Sequence, residues 1–123
     1  MAEQLAELNK GELEVYSTDE KQIGVWIDGK KIYRRVFDIP AISANSSGTI
    51  ATIAGITPIN YSGYAISTAN TIPIPYSGRG VASNLLTDAF FIAYNSSNQI
   101  TGYTGLNRVI TGGKLIVDYI KTT

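Results

Sequence analysis

YSTDEKQIGVWIDGKKIYRRVF, residues 16–37, reads as two alternating runs about a turn. Gln22–Ile27 and Lys30–Phe37 flank Asp28-Gly29, and an Asp-Gly pair between alternating runs is a strong short-range hairpin signal. A two-residue loop suits a type I′ turn, whose central residues both need positive φ; glycine adopts it without a Cβ clash. That turn predicts that Trp26 faces Lys31, Val25 faces Ile32, Gly24 faces Tyr33 and Ile23 faces Arg34. Because strand side chains alternate, Ile23, Val25, Ile27, Ile32 and Val36 then share one face. Trp26, Tyr33 and Phe37 share the other, with the Tyr33 ring over the bare backbone of Gly24. A hairpin apolar on both faces is expected to bury one against the core and the other against a second layer or another subunit. Trp26, Asp28, Gly29, Tyr33 and Phe37 are accordingly its structural and assembly residues.

The rest of the composition agrees with strands. The chain of 123 residues is one domain's worth, long enough to bury a core. It has 17 Ile, 6 Val and 12 Thr against 7 Leu, the β-branched bias of a strand-rich protein. Ten basic residues balance ten acidic ones with no polybasic run, which disfavours binding to a phosphate backbone and hence nucleic acid. Without cysteine or histidine there is no thiolate nucleophile, no usual general base near neutral pH and no common zinc ligand set. No cofactor and no metal are expected. No basic region followed by an apolar run marks a secretory signal, and the apolar stretches are too broken to insert into a membrane.

Outward from the hairpin, residues 2–10 are good helix formers with Leu5 and Leu8 on one stripe, ended by Asn9 and Gly11. Residues 1–15 are read as an N-terminal arm or short helix, either frayed or used for assembly and anchoring through Leu5 and Leu8. Residues 16–123 are read as an all-β domain, a β-sandwich or jelly-roll-like module. From Ile39 to Asn107 the only charges are Arg79 and Asp88. Ordinary soluble surfaces carry Lys and Glu throughout, so this middle is either buried against copies of itself or clothed in Ser, Thr, Asn, Tyr and Gly.

Within the middle, Ile50, Ile53, Ile56 and Ile59 recur every third residue; this suits neither a strand nor a helix and predicts two short strands kinked near Gly55. Residues 61–69 and 71–76 are read as further short strands, the second confined by Pro73 and Pro75 to an edge or an extended connector. Residues 88–94 are an apolar core strand, 95–98 a polar loop, and 99–104 and 108–111 short strands. Gly112-Gly113 is read as a hairpin turn before the last strand, 114–120.

Chemistry is sparse. Asn45, Asn60 and Asn95 begin N-glycosylation-type triplets, which a chain this rich in Asn and Ser produces by chance. Asp19-Glu20 fits a solvated turn better than half of a carboxylate pair. Asp118, alternating with apolar residues, is expected to pair with Arg34 or Arg35 as a structural ion pair. No catalytic residue is assigned. The tyrosines are the candidate ligand site: Tyr61, Tyr64, Tyr76, Tyr94 and Tyr103, with Asn95, offer rings and hydroxyls for a neutral glycan. Strand and interface packing is the commoner role for the same residues.

Tyr16-Ser17-Thr18, then Gly24-Val25-Trp26-Ile27-Asp28-Gly29-Lys30 and Ile32-Tyr33-Arg34-Arg35, resembles a segment of fibre and baseplate proteins of tailed bacteriophages. There the run reads YST, a spacer, GxWIDGK, then a basic-flanked Tyr. The chain end, residues 115–123 (LIVDYIKTT), is similar to the closing strand of that module. The resemblance implies a β-sandwich on the virion surface, commonly a homotrimer, at a tail-fibre tip, in the baseplate or on a head fibre. It implies a protein made in the bacterial cytoplasm, with other virion proteins and host surface glycans as partners. The family's segment usually closes a much longer protein, whereas only about fifteen residues precede it here. A small capsid-decorating or head-fibre protein without a receptor role is the alternative.

Overall fold

The computed structural model describes residues 16–68, 70–75 and 89–122. All regular structure among them is β: β1 (Lys21–Val25), β2 (Lys31–Asp38), β3 (Ser47–Thr52), β4 (Ile56–Ser67), β5 (Asn70–Pro73), β6 (Phe90–Tyr94), β7 (Gln99–Thr104) and β8 (Gly112–Lys121). They form two antiparallel sheets, one ordered β1-β2-β8-β4-β5 and the other β3-β7-β6. The fold is the all-β sandwich expected from the residue composition. The arm residues Leu5 and Leu8 lie outside the described residues.

β8 is the middle strand of the larger sheet. Its inward row is Leu115, Val117 and Tyr119, all buried. This row lies opposite Phe37, Arg35 and Tyr33 of β2 on one side and Gly63, Tyr61 and Pro58 of β4 on the other. Phe90 and Ile100 of the smaller sheet, both fully buried, complete the core with Ile39, Ile42, Ile56, Ala65 and Ile110. The connection from β2 to β3 and the one from β7 to β8 are pinned together where Ile42 and Ile110 exchange two backbone hydrogen bonds of 2.8 and 2.9 Å. Two apolar side chains thereby enter the core from loops, while their backbone groups stay paired.

The opening hairpin forms with a different turn from the one its Asp-Gly pair predicts. Trp26 N–H donates to the Lys30 carbonyl at 2.7 Å, and Gly29 N–H to the Trp26 carbonyl at 2.9 Å. Only Gly29 has positive φ, at 89°, and Asp28 does not. The loop is therefore three residues, Ile27 to Gly29, closed by a left-handed glycine in a bulge. The Asp28 Oδ1 accepts the Lys30 N–H at 3.0 Å, a local bond that favours this turn over the mirror-image one. The register moves by one: Val25 lies opposite Lys31 and Gly24 opposite Ile32, with a second irregularity at Ile23 that leaves Gln22 opposite Tyr33 and Lys21 opposite Arg34. The expected shared face of Trp26 with Tyr33 and Phe37 is overturned, because a one-residue slip moves Gly24, Val25 and Trp26 to the other face, while the second irregularity returns Lys21 and Gln22 to the expected one. Tyr33 and Phe37 pack on the core, whereas Trp26 stands at the exposed turn. Ile32, not Tyr33, covers Gly24, with its Cδ1 3.9 Å from where a Cβ would stand.

The same turn recurs between β6 and β7. Asn95 N–H donates to the Gln99 carbonyl and Asn98 N–H to the Asn95 carbonyl, each at 3.0 Å. Asn98 takes the left-handed position at φ 62°, which asparagine tolerates best among residues with a Cβ.

Three further expectations change. Residues 56–67 are one long strand rather than two, bulged between Pro58 and Asn60, where proline has no N–H to give. Residues 108–111 form no strand, and contribute the Ile110 bridge instead. Gly112 and Gly113 lie inside β8 and not in a turn. A Cβ on Gly113 would stand 2.4 Å from the Tyr64 carbonyl oxygen, so this glycine serves the close approach of β4. The period-three isoleucines resolve as expected into two strands, and the chain changes sheet at Gly55, whose φ is 72°. β5, with Pro73, is an edge strand.

On the outward face of the larger sheet, Arg34 and Asp118 are register partners and form a buried bidentate pair, Nε to Oδ1 at 2.6 Å and Nη2 to Oδ2 at 3.0 Å. Asp118 chooses Arg34 over Arg35 because alternation puts Arg35 on the other face.

Gly63 is the tightest point of the β4–β8 pairing. Its φ is 112°, and a Cβ there would lie 2.2 Å from the Lys114 carbonyl oxygen. Gly55→Ala, with nothing nearer than Thr122 Oγ1 at 3.8 Å, is expected to lower unfolding free energy by about 1 kcal/mol for its left-handed φ alone. Gly63→Ala is expected to lower it by more than about 3 kcal/mol, because backbone must move. Urea denaturation of the two variants checks the order.

Candidate functional site

The structure does not gather the predicted tyrosines into one platform. Tyr61 and Tyr94 point inward and pack against the core. The Tyr94 hydroxyl donates to the Ile53 carbonyl at 2.6 Å, and burial, with Tyr94 nearby, raises the Tyr61 hydroxyl above its ordinary pKa. Tyr64 is exposed on the outward face of the larger sheet, and Tyr103 is exposed on the outward face of the smaller one, opposite Phe91. The Asn95 side chain is taken up locally: its Oδ1 accepts from Ser97 N at 2.9 Å and Gln99 N at 3.1 Å, and its Nδ2 donates to Gln99 Oε1 at 3.1 Å. Tyr76 lies outside the described residues.

Two concave sites do form. One is a groove of about 420 Å³ between β4 and β6, lined by Pro58, Asn60, Tyr61, Pro75, Phe91 and Ile92. It is apolar with one amide, and Tyr61 alone of the predicted ligand residues reaches it. The other is a cavity of about 210 Å³ lined by Lys30, Lys31, Tyr33 and Lys121. None of its lysines is a site candidate in the sequence, since Lys121 lies ninety residues from Lys31 and meets it only because β2 pairs with β8.

A hydrogen-bonded cluster borders this second cavity. The Tyr119 hydroxyl donates to Glu20 Oε1 at 2.5 Å, and Lys121 Nζ donates to Glu20 Oε2 at 3.0 Å. Lys121 also sits over the Tyr33 ring, 4.6 Å from its centroid, a favourable cation–π arrangement. Burial by itself raises the Glu20 carboxyl, but the hydrogen bonds from Tyr119 and Lys121 and the charges of Lys121 and Arg35 outweigh it, so its pKa is lowered. Burial first, and then the bond to the Glu20 carboxylate, push the Tyr119 hydroxyl well above its ordinary value. The hydrogen bond to Glu20 likewise raises Lys121. Glu20 is therefore not a bare solvated carboxylate: it ties the segment before β1 to β8. Asp19 is exposed, with its N–H donating to Ser17 Oγ at 3.0 Å.

The third feature is the hairpin tip. Ile23 is 37% exposed, Val25 63%, Trp26 36% and Ile27 92%, four large apolar side chains on five consecutive positions. Among the described residues no three His, Cys, Asp or Glu side chains are placed to hold a metal ion, and no helix is long and apolar enough to cross a membrane. Compared with protein-family models, with curated proteins and with solved structures, the chain matches none.

The Glu20 cluster predicts a pH-dependent stability of known sign. A carboxyl whose folded pKa is lowered stabilises the fold above its unfolded value, 4.5, and loses that contribution as pH falls through the folded value. A tyrosine whose folded pKa is raised stabilises the fold below its unfolded value, 10.0, and loses that contribution as pH rises above it. Glu20→Gln is expected to melt below wild type at pH 7, with the gap closing as pH drops to about 3. Tyr119→Phe is expected to lose less stability than wild type between about pH 10 and 11. Thermal melts by circular dichroism across pH check both.

Proposed function

We propose that this chain is a non-enzymatic structural protein of a tailed-bacteriophage virion, a fibre or receptor-binding module that works as a homotrimer. The observation that carries the reading is the uncovered hairpin tip. Single exposed apolar residues are normal, but contiguous apolar patches on soluble domains mark surfaces that meet something else. Here the patch is made by Val25-Trp26-Ile27, the centre of the run that resembles phage fibre and baseplate proteins. The closing run of that resemblance, β8, lies beside β2 in the same sheet, which supports reading the two runs as parts of one module.

The uncharged middle of the chain supports the same conclusion. Tyr64, Ile66, Phe91 and Tyr103 leave both sheets with outward apolar side chains, and burial against further copies removes them from water at about 25 cal/mol per Å². The groove beside Tyr61 supports host attachment: an apolar wall with an aromatic ring and the Asn60 amide has the make-up of a site for one or two neutral sugar residues.

In light scattering the purified protein is expected to have three times the mass of one chain. Val25→Asp/Ile27→Asp, which alters only solvent-facing side chains, is expected to dissociate it to a folded monomer with an unchanged circular-dichroism spectrum. A monodisperse wild-type monomer at high dilution overturns the trimer. Saturable binding of the labelled protein to intact host cells distinguishes the receptor-binding module from a capsid-decorating protein, which binds the particle alone.

A further inference from the structure

We infer that the cavity lined by Lys30, Lys31, Tyr33 and Lys121 is a binding site for a compact oxyanion, a carboxylate or phosphate group carried by a small ligand. The site is complete within one chain, so the inference stands apart from the trimer.

The first support is an arrangement that strand pairing alone disfavours. Ile32 of β2 lies opposite Ile120 of β8, and Tyr33 opposite Tyr119. The next step of the same register sets Lys31 beside Lys121, and both line the cavity. Like charges placed opposite each other across a ladder destabilise a sheet. Lys30 brings a third ammonium to the same cavity. Glu20 offsets one of the three through its 3.0 Å bond to Lys121. Asp28 forms no ion pair with another among the described residues, its Oδ1 accepting the backbone N–H of Lys30.

The second support is the set of unused donors. Among the described residues the ion pairs are Arg34 with Asp118, Lys114 with Asp38 and Lys121 with Glu20, and Lys30 and Lys31 have none. The Tyr33 hydroxyl also has no hydrogen-bond partner among them, while its ring is held by Lys121 on one side and the tilted Tyr119 ring at 6.1 Å. A rigid phenol with a free hydroxyl, two free ammoniums and a third half-neutralised one converge on one concavity. An oxyanion satisfies all of these with charge-assisted hydrogen bonds and removes the repulsion between the lysines. The charged and polar groups facing the site are then Lys30, Lys31, Lys121, Tyr33, Glu20 and Tyr119.

Size sets the ligand class. At about 210 Å³ the cavity is smaller than the roughly 300–1,000 Å³ of pockets that enclose drug-sized molecules. It takes one anionic group with the atoms next to it, and a longer ligand would run out over the exposed Val25 and Lys31 edge.

The test is titration of the full-length protein, followed in ¹H–¹⁵N spectra at constant pH and ionic strength, with inorganic phosphate, glucuronate and uncharged glucose. Saturable shifts at residues 30–33 and 121 with phosphate or glucuronate, and none with glucose, are expected; response to one anion alone assigns the phosphoryl or the carboxylate source. Lys30→Ala/Lys31→Ala is expected to weaken binding by about tenfold or more, and Tyr33→Phe, which keeps the ring beneath Lys121, by a few-fold. Lys21→Ala, an unpaired lysine of the same hairpin outside the cavity, is expected to change nothing. Lys31→Ala is also expected to melt at or above wild type, since it relieves a repulsion; a purely structural lysine melts lower. Absence of saturable shifts, or equal losses from Lys21→Ala and Lys30→Ala/Lys31→Ala, overturns the site. The mass of each sample, measured in parallel, keeps this result separate from the assembly state.

Discussion

Burial of the inward row of β8 is the constraint on which the remaining structure depends. Leu115, Val117 and Tyr119 are each buried, and among the described residues β8 is the one strand with long partners on both sides, β2 and β4. Alternation then commits its other row to the outward face, which is why Asp118 is held by a buried bidentate arginine rather than by water. A buried ion pair of this kind is a weak source of net stability, since desolvation offsets much of the attraction. Its geometry instead makes one register of β2 on β8 far better than its neighbours, because a slip by one residue separates the two charges inside the sheet. The Glu20–Tyr119–Lys121 cluster secures the inward face at the same end, tying the chain before β1 to the last strand.

Much of the fold was legible in the sequence, for definite reasons. β-branched richness, alternation in residues 30–37 and 114–120, and punctuation by Gly, Pro and Asn gave the class, most strands and the edge position of β5. What was misread was local turn chemistry. Asp28-Gly29 is compatible with two loops, one with two left-handed residues and one with a single left-handed glycine, and the bond from Lys30 N–H to the Asp28 carboxylate favours the second. Because strand side chains alternate, the choice of loop decides which face Trp26 occupies. Gly112-Gly113 was misread in the opposite sense. Adjacent glycines signal a turn when only neighbours in sequence are considered, yet here Gly113 lets the backbone of β4 come close to β8.

The candidate sites were less legible than the fold. Tyrosines stand out in a charge-poor region, so they drew attention, but a strand sends consecutive side chains to opposite faces and two sheets send them to four. Tyr61 and Tyr94 went to the core, Tyr64 and Tyr103 to different outer surfaces. The lysine cavity had the reverse problem. Lys30 and Lys31 look like ordinary solvated charges near a turn, and nothing in the chain order points from them to Lys121.

By itself the sequence determined what each segment is able to be: strands from β-branched alternation, turns from glycine and asparagine, and a chain without histidine or cysteine chemistry. It also contained the apolar run Val25-Trp26-Ile27, which the fold leaves exposed at the hairpin tip. Tertiary structure decided which segments became neighbours, and with that the placement of every charge that matters. Arg34 meets Asp118, Glu20 meets Tyr119, and three lysines meet around Tyr33 because β2, β8 and β4 lie side by side. Those pairings are long-range, selected by burial of the β8 row over the whole sheet; alternation in the last strand pointed to an arginine partner for Asp118, and no local pattern encodes the other two.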